Sequence, residues 1–254
     1  MQIDLTGRRA LVTGAGAGIG AGIAVALAKA GADVVVHYAH SAAGAADVVE
    51  TITQLGRRAK SSQANLTVAS EAIALVADAA EFLGGLDILV NNAGHLVGRA
   101  TVEEMSDEHW EAVMGVNVTS AFYVTRSAIS LLKASEYGRV VLMSSLASEN
   151  GGGAGSVAYT ASKAAVVGFA RGLAKELAPS NVTVNAVAPG FIAETPFHDT
   201  FTPSSAQAGI IAGIPLGRAG TTDDVADVTL FLASDLSSYV TGQVVDINGG
   251  LNFR

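Results

Sequence analysis

Arg9-Ala10-Leu11-Val12-Thr13-Gly14-Ala15-Gly16-Ala17-Gly18-Ile19-Gly20 is the stretch on which the fold turns. Its first four residues read as a short buried strand, and Ala21 to Ala30 beyond it reads as a helix. Between them the glycines let the backbone turn tightly and come close to a pyrophosphate, whose charge the free amides at the helix start can meet. Asp33 to Tyr38, after Gly31, supplies the next strand and closes a β-α-β unit of the length a dinucleotide site needs. A glycine repeat alone is weak evidence in a chain with 29 glycines. The order strand, glycine turn, helix is what gives it weight.

Working outward, apolar β-branched runs recur at Val34 to Val36, Asp87 to Val90, Val140 to Met143, Val182 to Val187 and Gln243 to Ile247. Alanine-rich helical stretches separate them: Gly18 to Ala30, Ala43 to Leu55, Val68 to Phe82, Asp107 to Leu132, Val157 to Leu177 and Asp223 to Ala233, with Pro179 stopping the fifth. Such alternation predicts a parallel sheet covered on both faces. With Arg9 to Val12 and a further strand near Ala59 to Gln63 the sheet has about seven strands, a Rossmann-type, doubly wound α/β fold. The 254 residues contain no linker, repeat or low-complexity tract, so one domain over 1–254 is expected.

Composition narrows the function. A formal net charge of −8 with scattered Lys and Arg leaves no basic stripe for nucleic acid. The absence of cysteine excludes disulfides, thiolate metal sites and a cysteine nucleophile. Of the five histidines, His37 and His40 lie near the end of the second strand, His95 follows an Asn-Asn-Ala-Gly motif, and His109 and His198 are isolated; none has metal-ligand company, and no metal is expected. Met1-Gln2-Ile3-Asp4-Leu5 lacks the charged and apolar regions of a leader, and no apolar run reaches the roughly 18 residues of a membrane span. A soluble cytoplasmic protein without membrane partners is the expectation.

Tyr159 and Lys163 are one helical turn apart, and Ser145 ends an apolar run upstream. Residues four apart share a helix face, so the ammonium is expected to lie beside the phenol and lower a pKa that is ordinarily about 10. A phenolate accessible near neutral pH is a general base.

With the glycine loop, Asn91-Asn92-Ala93-Gly94, Asn117, Ser145, Tyr159, Lys163 and Pro189-Gly190 in this order, nearly the whole chain resembles the short-chain dehydrogenase/reductase family in its compact single-domain branch. The run from Gly138 to Ser145 and the ending from Val240 to Gly250 are similar to those of 3-oxoacyl-carrier-protein reductases and of sugar and keto-acid reductases. The resemblance implies hydride transfer between NAD(P)(H) and a ketone or secondary alcohol, whether keto acid, keto sugar or 3-oxoacyl substrate. It makes Tyr159 the acid/base and Ser145 the donor that polarises the substrate oxygen. Lys163 lowers the Tyr159 pKa and holds the nicotinamide ribose, and Asn117 holds a water linking Lys163 to solvent. Two donors on that oxygen stabilise its developing charge more than they stabilise the ketone.

The cofactor set expected on the same basis is Gly14, Gly16, Ala17, Gly18, Ile19 and Gly20 in the loop, then Tyr38, His40 and Ser41 at the second strand end. Asn65 and Leu66 belong at the adenine edge, where the family usually has an aspartate in place of Asn65. Asn92, Ala93 and Gly94 lie against the ribose, with Asn91 in part a simple turn former; Tyr159, Lys163, Pro189, Gly190, Ile192 and Thr195 complete the set. His37-Tyr38-Ala39-His40-Ser41 holds no carboxylate to bind ribose hydroxyls and repel a 2′-phosphate, which favours NADP(H) over NAD(H).

The segment between Ser145 and Tyr159, with Gly151-Gly152-Gly153-Ala154-Gly155 inside it, is one residue longer than in the acyl-carrier reductases. An extra residue also precedes Thr195. A substrate lid is expected at about 191–215, its mobile part Phe197 to Ile214. Nucleotide-sugar epimerases and dehydratases share the tyrosine and lysine but differ in glycine spacing and carry a longer carboxy-terminal region. A non-catalytic NADP-sensing protein usually loses the tyrosine or lysine. Finally, apolar residues on Val157 to Leu177 reach beyond one helix face. With Asp107 to Leu132 they predict a four-helix contact and, with Val244 to Phe253 as a second two-fold surface, a homotetramer.

Overall fold

The computed structural model describes residues 3–253; Met1 and Gln2 of the amino-terminal segment read above, and Arg254, lie outside the described residues. The elements run β1 (Arg9–Val12), α1 (Gly18–Lys29), β2 (Asp33–Tyr38), α2 (Ala42–Gln54), β3 (Ala59–Gln63), α3 (Ala69–Leu83) and β4 (Ile88–Asn91). They continue with α4 (Asp107–Met114), a π-helical turn (Gly115–Thr119), α5 (Ser120–Ala134), β5 (Arg139–Met143), α6 (Ala147–Asn150) and α7 (Val157–Leu177). After β6 (Thr183–Pro189) come two short helices, α8 (Pro196–Phe201) and α9 (Ser204–Ala212), then α10 (Thr222–Leu232) and β7 (Val244–Ile247).

Seven parallel strands lie in the order β3-β2-β1-β4-β5-β6-β7. Successive residues of the central strands feed opposite faces, as a period of two requires. Val12, Val36 and Val90 join Ile23 and Leu27 of α1, Ile52 of α2 and Val225 of α10 in one core. Leu11, Val35 and Leu89 join Leu75 of α3, Val124 of α5 and Val166 of α7 in the other. Each fully buried Leu, Ile or Val contributes about 1.5–3 kcal/mol, and this double layer makes the strands read as nearly continuous apolar runs.

The chain winds outward from β1 to β3 and then returns to β4 on the other side of β1. That reversal opens a crevice at the carboxyl ends of β1 and β4, the place where doubly wound sheets take ligands. Among the described residues no helix is long and apolar enough to cross a membrane.

The expected helix from Asp107 to Leu132 is broken in the middle. The Asn117 side chain enters the helix and donates to the Val113 carbonyl at 2.8 Å, and the ladder widens there into a π turn. The lid region, expected as a mobile segment, holds α8 and α9, with Pro196 at the first position of α8 and Thr195 capping it through the His198 amide.

Candidate active site

The glycine loop is fixed by residues on the strands around it. Gly14 N–H donates to Nδ1 of His37 at 3.0 Å, and Nε2 of the same ring meets the Ala64 carbonyl at 3.0 Å. Accepting at one nitrogen and donating at the other defines a neutral ring, and burial, partly opposed by the Ala64 bond, holds its pKa below the usual value. Thr13 Oγ1 accepts from the amides of both Asn92 and Ala93 at 3.0 Å. Asn92 Nδ2 donates to the carbonyls of Thr13 and Gly14, each at 3.0 Å. Asn92 therefore stitches the loop after β4 to the glycine loop, and its amide hydrogens are not directed at a ribose. Asn91 is no turn former: it is the last residue of β4, buried, and its Nδ2 donates to Thr125 Oγ1 on α5 at 2.9 Å.

The start of α1 is built to meet an anion. Ala17 caps it with no side-chain hydrogen bond, and its first turn carries no acid, so the amides there keep their donor capacity. Two glycines are required by close approach. A Cβ at Gly20 would fall 2.3 Å from the Gly14 carbonyl oxygen, and one at Gly94 would fall 2.6 Å from Asn117 Oδ1 and 2.8 Å from Lys163 Nζ. A side chain at either position would fill the cradle, and this shape and donor set fit a dinucleotide.

A cavity of about 330 Å³ opens here, lined by Gly14, Ala17, Gly18, Ile19, Gly20, Asn92, Gly94, Ser145, Tyr159, Lys163, Pro189, Gly190, Ile192 and Thr195 of the expected set. His95, Met143, Ser144 and the α8 residues Pro196, Phe197, His198 and Thr200 line it as well. Gly16, Ala93 and Asn117 sit behind this surface. Asn117 Nδ2 uses both hydrogens on the carbonyls of His95 and Val113, and its Oδ1 accepts the His95 amide at 3.1 Å. What remains for a water is one lone pair of Oδ1, beside Lys163.

Tyr38, His40, Ser41, Asn65 and Leu66 do not line the cavity. Leu66 is buried in the core, and exposed Asn65 turns its Oδ1 onto the amide and hydroxyl of Thr67 at 3.1 and 2.7 Å, just before α3. The Ser41 hydroxyl donates to the Gly16 carbonyl at 3.2 Å, which leaves exposed His40 and the uncharged first turn of α2 facing outward. Glu194, just before Thr195, is held at φ +55°, and buried Thr195 uses its hydroxyl on the Ile192 carbonyl at 3.1 Å and the His198 amide at 3.4 Å.

Tyr159 and Lys163 differ from the expectation in charge. Lys163 is buried, its Nζ donates to the Met143 carbonyl at 2.9 Å, and it lies 5.6 Å from the centre of the Tyr159 ring. Burial lowers the Lys163 pKa to about 8. Burial also raises the Tyr159 pKa to about 12, opposed only by a hydrogen bond with Ser145. The ammonium reaches a backbone carbonyl instead of the phenol, so Tyr159 here is a protonated donor and not a phenolate. Ser145 Oγ also accepts the Ala147 amide at 3.1 Å, which fixes the hydroxyl at the end of β5.

A second chamber of about 550 Å³ adjoins the first through Ser145, Tyr159, Pro189, Gly190, Phe197 and His198. Its walls are mainly apolar, with Leu96, Phe191, Phe201, Ile210 and Leu251 prominent. Phe197 leans on Tyr159 with ring centres 5.7 Å apart, and His198 packs edge-on to Phe191 at 4.6 Å. These wall residues were not legible as site residues, because an aromatic spaced within a short segment reads equally as core.

An open parallel sheet with a dinucleotide cradle and a Ser-Tyr-Lys group at its carboxyl edge defines an α/β oxidoreductase. A family model described as enoyl-(acyl carrier protein) reductase matches residues 14–252. The chain is 40% identical over 251 residues to the 3-oxoacyl-(acyl-carrier-protein) reductase of Aquifex aeolicus, covering 99% of this chain and all of that one. A short-chain dehydrogenase from Burkholderia cenocepacia, solved with NADP, superposes with a TM-score of 0.91 at 37% identity, covering 98% of this chain and 99% of the other. An NADH-dependent reductase of alginate metabolism superposes with a TM-score of 0.90 at 34% identity, covering 98% and 99%. The chain belongs to the short-chain dehydrogenase/reductase family and is an NAD(P)-dependent oxidoreductase.

Proposed function

We propose that the protein reduces a ketone to a secondary alcohol, with NADP(H) preferred to NAD(H). The observation that carries this reading is the meeting of the two chambers at Ser145 and Tyr159, one walled by the glycine loop and the other apolar. When bound, the nicotinamide supplies the hydride. Tyr159 gives its hydroxyl proton to the carbonyl oxygen, and a phenol with a pKa of about 12 is in the donor form throughout the neutral range. The Ser145 hydroxyl donates a second hydrogen bond to that oxygen as it gains charge. Below about pH 8 Lys163 is an ammonium, and the phenolate left by proton transfer gains its counter-charge from it. Asn117 holds the His95 segment against Lys163, and the acceptor capacity left on its Oδ1 takes a water that returns the proton.

NADP preference is supported by the absence of a carboxylate from Tyr38 to Ser41 and from the first turn of α2, with His40 exposed beside it. Residues 191–215 act as the lid, supported by the packing of Phe197 on Tyr159 and by Pro196, Phe197 and His198 lining the cavity together with the glycine loop. A homotetramer is supported by exposed apolar side chains on α4 (Trp110) and α5 (Phe122), and by exposed Leu216 and Phe253 in the carboxy-terminal region. Light scattering tests it, and a stable monomer contradicts it.

A screen of keto acids, keto sugars, diketones and 3-oxoacyl thioesters, read as loss of nicotinamide absorbance, tests the activity. Faster turnover with NADPH than with NADH is expected, and Tyr38→Asp is expected to shift that ratio towards NADH. Failure of every ketone with both cofactors contradicts the reading.

A further inference from the structure

Five of the nine arginines among the described residues of this acidic chain, which has 23 Asp and Glu against 15 Lys and Arg, face carboxylates. Arg9 meets Asp87, Arg57 and Arg58 meet Asp33, Arg139 meets Asp235, and Arg218 meets Asp224. Arg99 differs: among the described residues its guanidinium donates only to carbonyls, from Nη1 to Ala154 at 2.9 Å and from Nη2 to Phe201 at 3.3 Å. Those carbonyls belong to the glycine-rich segment 151–155 and to the last residue of α8, the two walls at the open end of the apolar chamber. A Cβ on Gly153 would come 2.9 Å from Nη1, so the glycine backbone leaves room for the guanidinium there.

A guanidinium has five N–H donors in a rigid fork, and two held by carbonyls leave three oriented in advance. No Asp, Glu or Lys lines this chamber, and Arg99 is the cation on its wall. Ser145 and Tyr159, shared with the first chamber, are half-buried, Arg99 is exposed, and most of the remaining lining is apolar.

We propose that Arg99 is a specificity-determining residue and that the substrate is an apolar oxo acid, its carbonyl at Ser145 and Tyr159 and its carboxylate on the Arg99 fork. The intervening wall is apolar, so several carbons separate the two groups. The assignment rests on the reductase reading. Hydride from the reduced nicotinamide goes to the carbonyl carbon, the Tyr159 proton goes to its oxygen, and the carboxylate passes through unchanged.

The test uses NADPH with oxo acids whose carbonyl is several carbons from the carboxylate, their methyl esters, 2-oxo acids, and a 3-oxoacyl thioester of coenzyme A. The wild-type protein is expected to prefer the remote oxo acids to their esters. Arg99→Met is expected to lower the acid-to-ester ratio of kcat/KM by about 10- to 100-fold, the range of a charge-assisted hydrogen bond, through the KM of the acid. Arg99→Lys, which keeps the charge and loses the fork, is expected to fall between. Salt is expected to raise the wild-type KM for the acid and leave that of the ester, a measurement that stands even where a variant does not fold. An unchanged ratio in Arg99→Met, equal use of acid and ester by the wild type, or preference for the thioester or the 2-oxo acids overturns the proposal. Absence of turnover with every ketone instead overturns the reductase reading beneath it.

Discussion

The two ends of the parallel sheet both hold charged and polar groups, and they treat them in opposite ways. At the amino edge, Asp87 accepts from Arg9 Nε at 2.8 Å, Arg9 Nη2 at 2.7 Å, the Arg9 amide at 2.9 Å and the Ser135 hydroxyl at 2.6 Å. Tyr137 donates to the Ala233 carbonyl at 2.9 Å, and the Arg8 guanidinium covers its ring at 3.6 Å. These groups satisfy one another, while Arg139 Nε, Thr183 Oγ1 and Arg57 Nε at the same edge have no hydrogen-bond partner. At the carboxyl edge the α1 amides lack a side-chain cap, Tyr159 meets only Ser145, and Lys163 carries its charge against a single carbonyl. Polar capacity that the protein closes on itself holds the fold together, and capacity left open identifies the side that works on a ligand.

Asp87→Ala breaks the closed end and is the largest expected stability effect. Removing the carboxylate strands the Arg9 guanidinium and the Ser135 hydroxyl, at a cost of about 3 kcal/mol in urea unfolding, while kcat/KM for a ketone is unchanged. A large loss of activity in a folded Asp87→Ala protein would show that the two ends are not independent.

Lys163→Met is expected to do the reverse, removing activity while raising stability by about 1–2 kcal/mol near neutral pH. The folded pKa of Lys163 is about 8, below its ordinary 10.5, so folding is penalised wherever the unfolded chain is charged. That penalty is full below about pH 8, fades as pH rises above it, and is gone above the unfolded value of 10.5. The stability gap between variant and wild type should therefore close in alkali, and a gap that is constant with pH would contradict a buried ammonium.

His37→Leu has the smallest expected effect, about 1 kcal/mol, because it removes one acceptor from the Gly14 amide. The folded pKa of His37 lies below 6.5, so its neutral ring supports the fold above that pH and the support is lost as pH falls. Thermal melting from neutral to mildly acid pH should lose part of its slope in the variant, and an identical slope would remove His37 from the loop's support.

Much of this contrast was readable from sequence, but unevenly. Strand alternation and the glycine loop gave the seven-stranded sheet and its crevice, and Val157 to Leu177 matches α7 end to end. Periodicity reports which face is apolar and carries nothing about hydrogen bonds between distant loops. Thus Thr13, His37 and Asn92 stitching the cradle, and Asn117 opening a π turn, emerged only from the structure. The same limit applies to Arg99, whose partners Ala154 and Phe201 are remote in sequence and offer only backbone carbonyls. The helix spacing of Tyr159 and Lys163 was right, and the charge state expected from it was not, because burial acts on both groups more strongly than they act on each other.

At the carboxyl edge, read as a reductase site, the Tyr159 hydroxyl gives the proton. The direct measurement is the single-turnover rate of nicotinamide oxidation by Tyr159→Phe and by wild type with the same ketone, alongside cofactor binding by calorimetry. A loss of about 10²- to 10⁴-fold in rate is expected, with the ring packing and cofactor affinity retained. A variant that binds cofactor and turns over at close to the wild-type rate would contradict it.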